Sequence, residues 1–158
     1  MDALLRLQNE YKNLQKNLTF GCYARPEEKG KNNTKNWFLW NGQIFYEGIF
    51  YKIQLNFTKK YPEAPPEVKF VSPVFNPNVY SKGQVCLDLI SNRWTPSTTI
   101  SEVLKGLVQL LKYPNPDSPA NCTAANLFRK DKNAYNKKAK EVASKNMKYN
   151  VLGIYTEK

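Results

Sequence analysis

The fold prediction starts from residues 73–96, which read PVFNPNVYSKGQVCLDLISNRWTP. A single cysteine, Cys86, lies in this stretch between apolar neighbours, with Asn78 and Tyr80 upstream and Asp88 two residues downstream. Three prolines stiffen the backbone, because each ring fixes φ at about −65° and removes a hydrogen-bond donor. Long irregular loops in compact domains tend to carry function. The stretch therefore predicts a functional site built around one thiol.

Two further motifs lie outside this loop, YPEAPP at residues 61–66 and PNPDSPAN at residues 114–121. The loop itself contains Asn-Pro-Asn at 76–78, Val-Cys-Leu-Asp at 85–88 and Trp-Thr-Pro at 94–96. In this order the motifs resemble the active-site region of the ubiquitin-conjugating enzymes, whose pattern is His-Pro-Asn, then Ile/Val-Cys-Leu-Asp, then Trp-Ser-Pro. The resemblance covers most of the chain. It implies the UBC fold and a transferase that carries ubiquitin as a thioester.

The chain before the loop predicts one helix and four strands. Apolar residues recur at three- and four-residue steps over residues 2–17, which predicts an amphipathic helix with Asp2 as its N-cap. Segments rich in aromatic and β-branched residues predict strands at 20–25, 36–40, 49–57 and 67–71. Asn41-Gly42 predicts the hairpin turn between the second and third strands, and residues 27–35 predict a surface turn after Pro26 ends the first.

The chain after the loop predicts three helices. Thr99 and Glu102 form a capping box before a helix that is apolar nearly all round and should be buried, with Pro114 ending it. Residues 120–129 and 131–148 predict two more helices. Strands followed by helices indicate an α+β fold: a four-stranded antiparallel meander sheet with an N-terminal helix, a buried central helix and two C-terminal helices. We expect one catalytic core domain over residues 1–158.

Cysteine and histidine usage limits the chemistry. Cys22, Cys86 and Cys122 leave an odd thiol and no paired spacing, which indicates a reducing compartment rather than a disulfide framework. The chain has no histidine, which removes Cys-His nucleophile pairs and His-based metal sites. We therefore expect no metal and no cofactor. We expect the cytoplasm or the nucleus as the location, or an organelle if an N-terminal extension is missing from this sequence.

The formal net charge is +11, from 24 Lys and Arg against 13 Asp and Glu. This balance favours acidic partners, although a solvated basic surface would give the same number. The lysines of the last predicted helix prompt a nucleic-acid-binding module as an alternative. Helical periodicity spreads these lysines around the helix, and no motif that reads DNA or RNA accompanies them, so nucleic acid is not the expected partner. No apolar run approaches the length of a membrane span, so we expect no membrane partner.

The resemblance assigns roles to five residues. It implies that Cys86 carries the modifier, and that Asn78 either donates to the developing oxyanion or braces the loop that holds the thiol. Tyr80 and Asp88 are candidates to orient and desolvate the incoming lysine. Ser118 stands at the position of a gate, where it has no fixed charge but gains one by phosphorylation. Taken alone, Cys86 would be interpreted as a buried apolar thiol, the common environment of free cysteine.

The resemblance also implies protein partners: ubiquitin or a ubiquitin-like protein, an activating enzyme, a RING-type ligase and the lysines of substrate proteins. The ligase-binding residues that it implies are Arg6, Glu63, Trp94, Pro96 and Ser97. Glu63 stands where many family members carry an apolar or neutral residue. We therefore expect RING-type ligases to bind with a different preference.

Two other positions depart from the family pattern. Asn76 replaces the usual histidine, whose role is thought to be structural, and we expect activity to survive because asparagine still forms local hydrogen bonds. Tyr23 lies on the outer face of the predicted sheet, where a small residue is often used for non-covalent contact with ubiquitin. Its bulk argues against that contact.

Two alternatives to a ubiquitin carrier stay open. The short hairpin at residues 46–49 is more typical of carriers of other ubiquitin-like proteins. A catalytically inactive binding scaffold is the other alternative, but such variants usually lack the cysteine that this chain retains.

Overall fold

A computed structural model describes residues 2–17 and 21–145. The elements are, in chain order, α1 (Ala3–Lys16), β1 (Tyr23–Lys29), β2 (Thr34–Tyr46), β3 (Ile49–Asn56), β4 (Glu67–Phe70), a short 3₁₀ helix (Asp88–Ile90), α2 (Ile100–Lys112), α3 (Cys122–Lys130) and α4 (Lys132–Ser144). The strands form one antiparallel sheet in the order β1-β2-β3-β4. This α+β meander with four helices confirms the predicted fold class. In this part of the chain no helix has the length and apolar character needed to cross a bilayer.

The prediction of a hairpin turn at Asn41-Gly42 is wrong. Strand β2 continues through these residues, and Gly42 pairs with Ala24 of β1 on one side and Ile53 of β3 on the other. A Cβ atom on Gly42 would lie 2.3 Å from the carbonyl oxygen of Tyr23, so the glycine allows two strands to approach closely. The turn is instead at Glu47-Gly48, where φ values of 48° and 80° match the left-handed backbone of a tight hairpin.

The first predicted strand is also misplaced. The observed β1 runs from Tyr23 to Lys29 and includes Pro26, which was expected to end the strand. Proline is tolerated because β1 is an edge strand and the register shifts between Pro26 and Glu27. The surface turn predicted for residues 27–35 shrinks to residues 30–33. Residues 18–20, where the predicted strand began, lie outside the described residues.

The helix predictions agree with the structure better than the strand predictions do. Helix α1 has the expected bounds within one residue, but the side chain of Asp2 forms no capping hydrogen bond. The capping box at the start of α2 is confirmed, since Thr99 and Glu102 exchange both hydrogen bonds. Helix α2 ends at Lys112, just before Pro114. The predicted end of the last helix, at residue 148, lies outside the described residues.

The core lies between the sheet and two helices. Helix α2 buries Ile100, Val103, Leu104, Leu107 and Leu110. Helix α1 contributes Leu7 and Leu14 from its apolar stripe, as the spacing predicts. The sheet contributes Trp40, Ile44, Ile53, Leu55 and Val68 to the same cluster.

A buried ion pair that the sequence analysis did not find joins α1 to the start of α2. The carboxylate of Glu10, only 4% exposed, accepts hydrogen bonds from Nε and Nη2 of Arg6 at 3.0 and 2.9 Å. Its other oxygen accepts from the backbone N–H of Ile100 at 3.2 Å. Arg6 also donates to the carbonyl oxygens of Pro96 and Thr98. The Glu10 carboxylate therefore connects α1 to the start of α2, directly and through Arg6. It also pairs the N–H of Ile100, a backbone donor that the first turn of α2 would otherwise leave without a partner.

We expect Glu10→Ala to lower the free energy of unfolding by roughly 3 kcal/mol, because it leaves the Arg6 guanidinium without its partner in a largely buried site. The matched control is Glu102→Ala. Glu102 also accepts a backbone N–H at the start of α2 but is exposed, so its removal should cost roughly 1 kcal/mol. Chemical denaturation measures the free energy of unfolding of both variants. Equal losses of stability would contradict the role of Glu10 as the buried partner of Arg6.

Candidate active site

The backbone around Cys86 is held against the edge strand β4. Phe70 donates its N–H to the carbonyl oxygen of Gly83 at 2.8 Å, and Val85 donates to Val68 at 3.0 Å. Gly83 has a φ of +96°, and a Cβ atom there would lie 2.1 Å from the carbonyl oxygen of Phe70. Only glycine tolerates both conditions. The loop that carries the thiol therefore lies against a strand of the sheet.

Cys86 follows this anchored segment and precedes the short 3₁₀ helix. Its N–H donates to the carbonyl oxygen of Asn78 at 2.8 Å, and its side chain is exposed and in no disulfide. The alternative of a buried apolar thiol is therefore excluded by the fold. An exposed thiol on a braced backbone is available to another molecule.

Asn78 is 3% exposed and connects two loops. Its Nδ2 donates to the carbonyl oxygen of Asn115 at 2.7 Å, and its Oδ1 accepts from the N–H of Asn115 at 2.8 Å. Both polar atoms of the amide are therefore engaged with the segment that leads to Ser118. Of the two roles left open by the sequence, this geometry favours bracing the loop over donating to an oxyanion.

Asn76, the residue in place of the family's histidine, is 1% exposed. Its Nδ2 donates to the carbonyl oxygen of Leu110 in α2 at 3.3 Å, and its Oδ1 accepts from the N–H of Asn78 at 2.8 Å. The side chain thus links the central helix to the backbone of Asn78. This is a structural contact, as expected for that position.

Two clefts meet at Cys86. The first, of about 330 Å³, is lined by Cys86 together with Asn78, Asp88 and Ser118. Arg93 lies in the same cleft, so a positive and a negative side chain both face it. Asp88 and Ser118 are exposed. The structure therefore brings four of the five predicted site residues into one cleft.

The fifth, Tyr80, lines a second cleft of about 290 Å³ that also includes Cys86. The Tyr80 side chain is 51% exposed, and Glu67 and Gln84 lie in the same cleft. Tyr80 and Asp88 thus line different clefts, each of which reaches the cysteine. Glu67 carries no signal in the sequence, because it lies at the start of a strand, 19 residues before Cys86, and no motif connects the two residues.

The loop that carries Ser118 is fixed at both ends. Ala120 and Asn121 donate their N–H groups to the carbonyl oxygen of Pro77 at 2.8 and 3.0 Å. Asp117 forms an ion pair with Arg129 of α3 at 2.9 Å, although both side chains are exposed. Ser118 is therefore presented at the mouth of the first cleft by a loop with several attachments.

The five residues predicted to bind a ligase lie on two adjoining loops and on α1. The indole Nε1 of Trp94 donates to the carbonyl oxygen of Pro62 at 2.9 Å, next to the exposed Glu63. Arg6 donates to the carbonyl oxygen of Pro96, as described above. Pro96 and Ser97 are both exposed. These contacts bring the five residues to one end of the molecule. The hydrogen bonds of Arg6, however, all go to other residues of this chain.

Tyr61 lies beneath this surface. Its ring centroid is 5.6 Å from the Arg6 guanidinium and 5.9 Å from the Trp94 ring. Burial raises the pKa of Tyr61, and the nearby Glu10 carboxylate raises it further. Tyr61 therefore stays neutral at physiological pH and packs as an aromatic side chain beneath Trp94.

The acid and thiol side chains do not suggest a metal site. Across residues 2–17 and 21–145, no group of three or more His, Cys, Asp or Glu side chains is placed to hold a metal ion. The two clefts at Cys86 offer a thiol, amides, hydroxyls, carboxylates and the guanidinium of Arg93 as their chemical groups.

Comparison with known proteins identifies the family of the chain. The family model described as "Ubiquitin-conjugating enzyme" matches residues 6–143. The chain is 41% identical over 146 residues to the Arabidopsis thaliana protein "Ubiquitin-conjugating enzyme E2 3", a match covering 89% of this chain and 93% of that protein. It is 37% identical over 143 residues to the Caenorhabditis elegans protein "Ubiquitin-conjugating enzyme E2 1", covering 87% of this chain and 71% of that protein. The chain therefore belongs to the ubiquitin-conjugating enzyme family.

Proposed function

We propose that this protein accepts ubiquitin from an activating enzyme as a thioester on Cys86 and transfers it to a lysine of a substrate protein, usually with a ligase. The observation that carries the proposal is the exposed Cys86 thiol on a braced backbone where two clefts meet. Membership of the family and the names of both relatives support ubiquitin as the modifier. The same exposure favours an enzyme over an inactive scaffold.

The first step is exchange of one thioester for another. The Cys86 thiolate attacks the carbonyl carbon of the modifier's thioester on the activating enzyme. A bond to Cys86 Sγ forms, the bond to the activating enzyme's sulfur breaks, and that sulfur leaves as a thiolate that takes up a proton. The reactant and the product have similar free energies because both are thioesters. Cys86 therefore needs no strong base to accept the modifier.

The second step is attack by the neutral amine of a lysine. The lysine ammonium first gives one proton to solvent. The neutral nitrogen then forms a bond to the carbonyl carbon, the bond to Cys86 Sγ breaks, and the proton that the nitrogen loses on forming the amide goes to the leaving thiolate. Since the sequence has no histidine, we propose that Asp88 positions the lysine ammonium in the first cleft. Tyr80 is proposed to help orient and desolvate the amine from the second cleft, because a partly dry approach lowers a lysine pKa.

The free thiols suit a reducing compartment. We therefore propose the cytoplasm or the nucleus as the place of action. We further propose that the end of the molecule formed by Arg6, Glu63, Trp94, Pro96 and Ser97 binds a RING-type ligase. The acidic Glu63 would select against ligases that present an acidic contact there.

A charging assay tests the proposed function. The protein is incubated with ATP, an activating enzyme and its matching modifier, in parallel reactions for ubiquitin and for other ubiquitin-like proteins. We expect a thiol-cleavable adduct with ubiquitin, because Cys86 is exposed. Cys86→Ala should form none, whereas Cys122→Ser, which removes another exposed cysteine, should charge normally. Charging only by a different modifier would exclude ubiquitin, and unchanged charging of Cys86→Ala would exclude the site.

A second prediction separates the two roles of Asn78. We expect Asn78→Ala to slow discharge to lysine and also to lower the free energy of unfolding by about 2 kcal/mol, because two partly buried hydrogen bonds to Asn115 are lost. Single-turnover discharge and chemical denaturation measure the two effects. Gln109→Ala is the control, since it removes an exposed amide from the same cleft. Discharge slowed by about 100-fold with unchanged stability would instead indicate a pure oxyanion donor.

A third prediction concerns Ser118 as a gate. We expect Ser118→Asp to discharge ubiquitin to free lysine several-fold faster than Ser118→Ala, because a carboxylate at the mouth of the cleft holds the lysine ammonium near the thioester. Discharge is followed after ATP is depleted, so that charging does not contribute. Equal rates for the two variants would refute a gating role for a charge at this position.

A further inference from the structure

The second cleft at Cys86 has a chemical character of its own. Its walls are mainly apolar, with Val68, Leu87 and Ile90 among them, and they carry the polar side chains of Glu67 and Gln84. Among the side chains that line this cleft, the Glu67 carboxylate bears the one fixed charge at neutral pH. An acidic group thus lies in a cleft that opens onto the reactive thiol.

The Glu67 carboxylate is not neutralised by the protein. It is exposed, and in the part of the chain that the structure describes it takes part in no ion pair or side-chain hydrogen bond. Lys69 lies two residues further along β4, on the same face of the strand, but does not line the cleft. In a chain with a net charge of +11, a carboxylate left without a basic partner beside the thiol is available to a cation from another molecule.

We propose that Glu67 determines acceptor specificity, by binding a basic side chain close in sequence to the lysine that receives the modifier. This inference rests on the proposed function. The acceptor lysine must bring its amine to the carbonyl bonded to Cys86 Sγ, so the residues on either side of it pass over the clefts that meet there. An acceptor segment in extended conformation places every second side chain on the same face, at a rise of about 3.3 Å per residue. A side chain two positions from the lysine, on the same face as the lysine, therefore falls near the second cleft.

The predicted preference opposes the net charge of the protein. A chain of net charge +11 attracts acidic peptides at long range. A preference for basic flanking residues therefore has to come from a local group. Exposed charge pairs are weak, so the expected effect is about two- to five-fold in the rate of discharge.

The experiment uses the full chain charged with ubiquitin, with ATP then depleted. Three acetylated, amidated peptides act as acceptors: R-A-K-A-R, A-A-K-A-A and E-A-K-A-E. The second-order rate constant of discharge is measured for each peptide. The rate constants of the arginine and glutamate peptides are each divided by that of the alanine peptide, and the ratio of the two results is compared between variants. We expect the arginine peptide to react fastest. Raising the salt concentration should bring the three rates together, because it screens exposed charges.

Substitutions at Glu67 test whether that residue causes the preference for the arginine peptide. Glu67→Gln should remove the preference for arginine, and Glu67→Lys should reverse it in favour of the glutamate peptide. Glu141→Lys makes the same change in net charge from an exposed position on α4 that lines neither cleft, and it should keep the wild-type ratio. A wild-type preference for the glutamate peptide, or an unchanged ratio in Glu67→Gln, would overturn the inference.

The thioester on Cys86 and the role of Glu67 are tested by different outcomes. If the wild-type protein forms no thioester on Cys86, the proposed function is wrong. If it forms the thioester and discharges all peptides in the same ratios with or without Glu67, the function stands and the role of Glu67 is excluded. Charging of each variant is measured first, so that a change in loading is not mistaken for a change in acceptor choice.

Discussion

Two hydrogen bonds between the side chain of Asn78 and the backbone of Asn115 hold the candidate active site together. The carbonyl oxygen of Asn78 also receives the N–H of Cys86, and its N–H is held by Asn76, which contacts α2. One buried residue thus joins the backbone of Cys86 to the segment leading to Ser118 and, through Asn76, to the central helix. A buried amide with both polar atoms paired fixes geometry strongly, because breaking either bond leaves an unsatisfied group.

Charge is distributed unevenly around the thiol. The chain as a whole is basic, at +11, yet the second cleft at Cys86 carries Glu67 as its one charged lining residue, and the first carries Asp88 together with Arg93. Under the proposed function, a carboxylate here would attract an amine that arrives as an ammonium ion and hold it near Cys86 until it loses its proton. The basic remainder of the surface is free to interact with acidic faces of protein partners.

Much of the fold was predictable from the sequence because the signals are local. The apolar spacing of α1 and α2 and the capping box of Thr99 and Glu102 need only a few neighbouring residues. The strand boundaries were less predictable. Asn41-Gly42 has the composition of a turn, but pairing of β2 with strands on both sides keeps the chain extended there. Pro26 likewise stays within a strand because that strand lies at the edge of the sheet.

By itself, the sequence determined the order of helices and strands and the family, since each is encoded in short contiguous motifs, and the same motifs single out Cys86 as the candidate nucleophile. Only the tertiary structure decided that Asn78 faces Asn115, 37 residues away, and that Glu10 meets Ile100, 90 residues away. It also decided that Glu67 shares a cleft with Cys86. These contacts join segments distant in the chain, and their partners are fixed only when the sheet, the helices and the loops pack against one another.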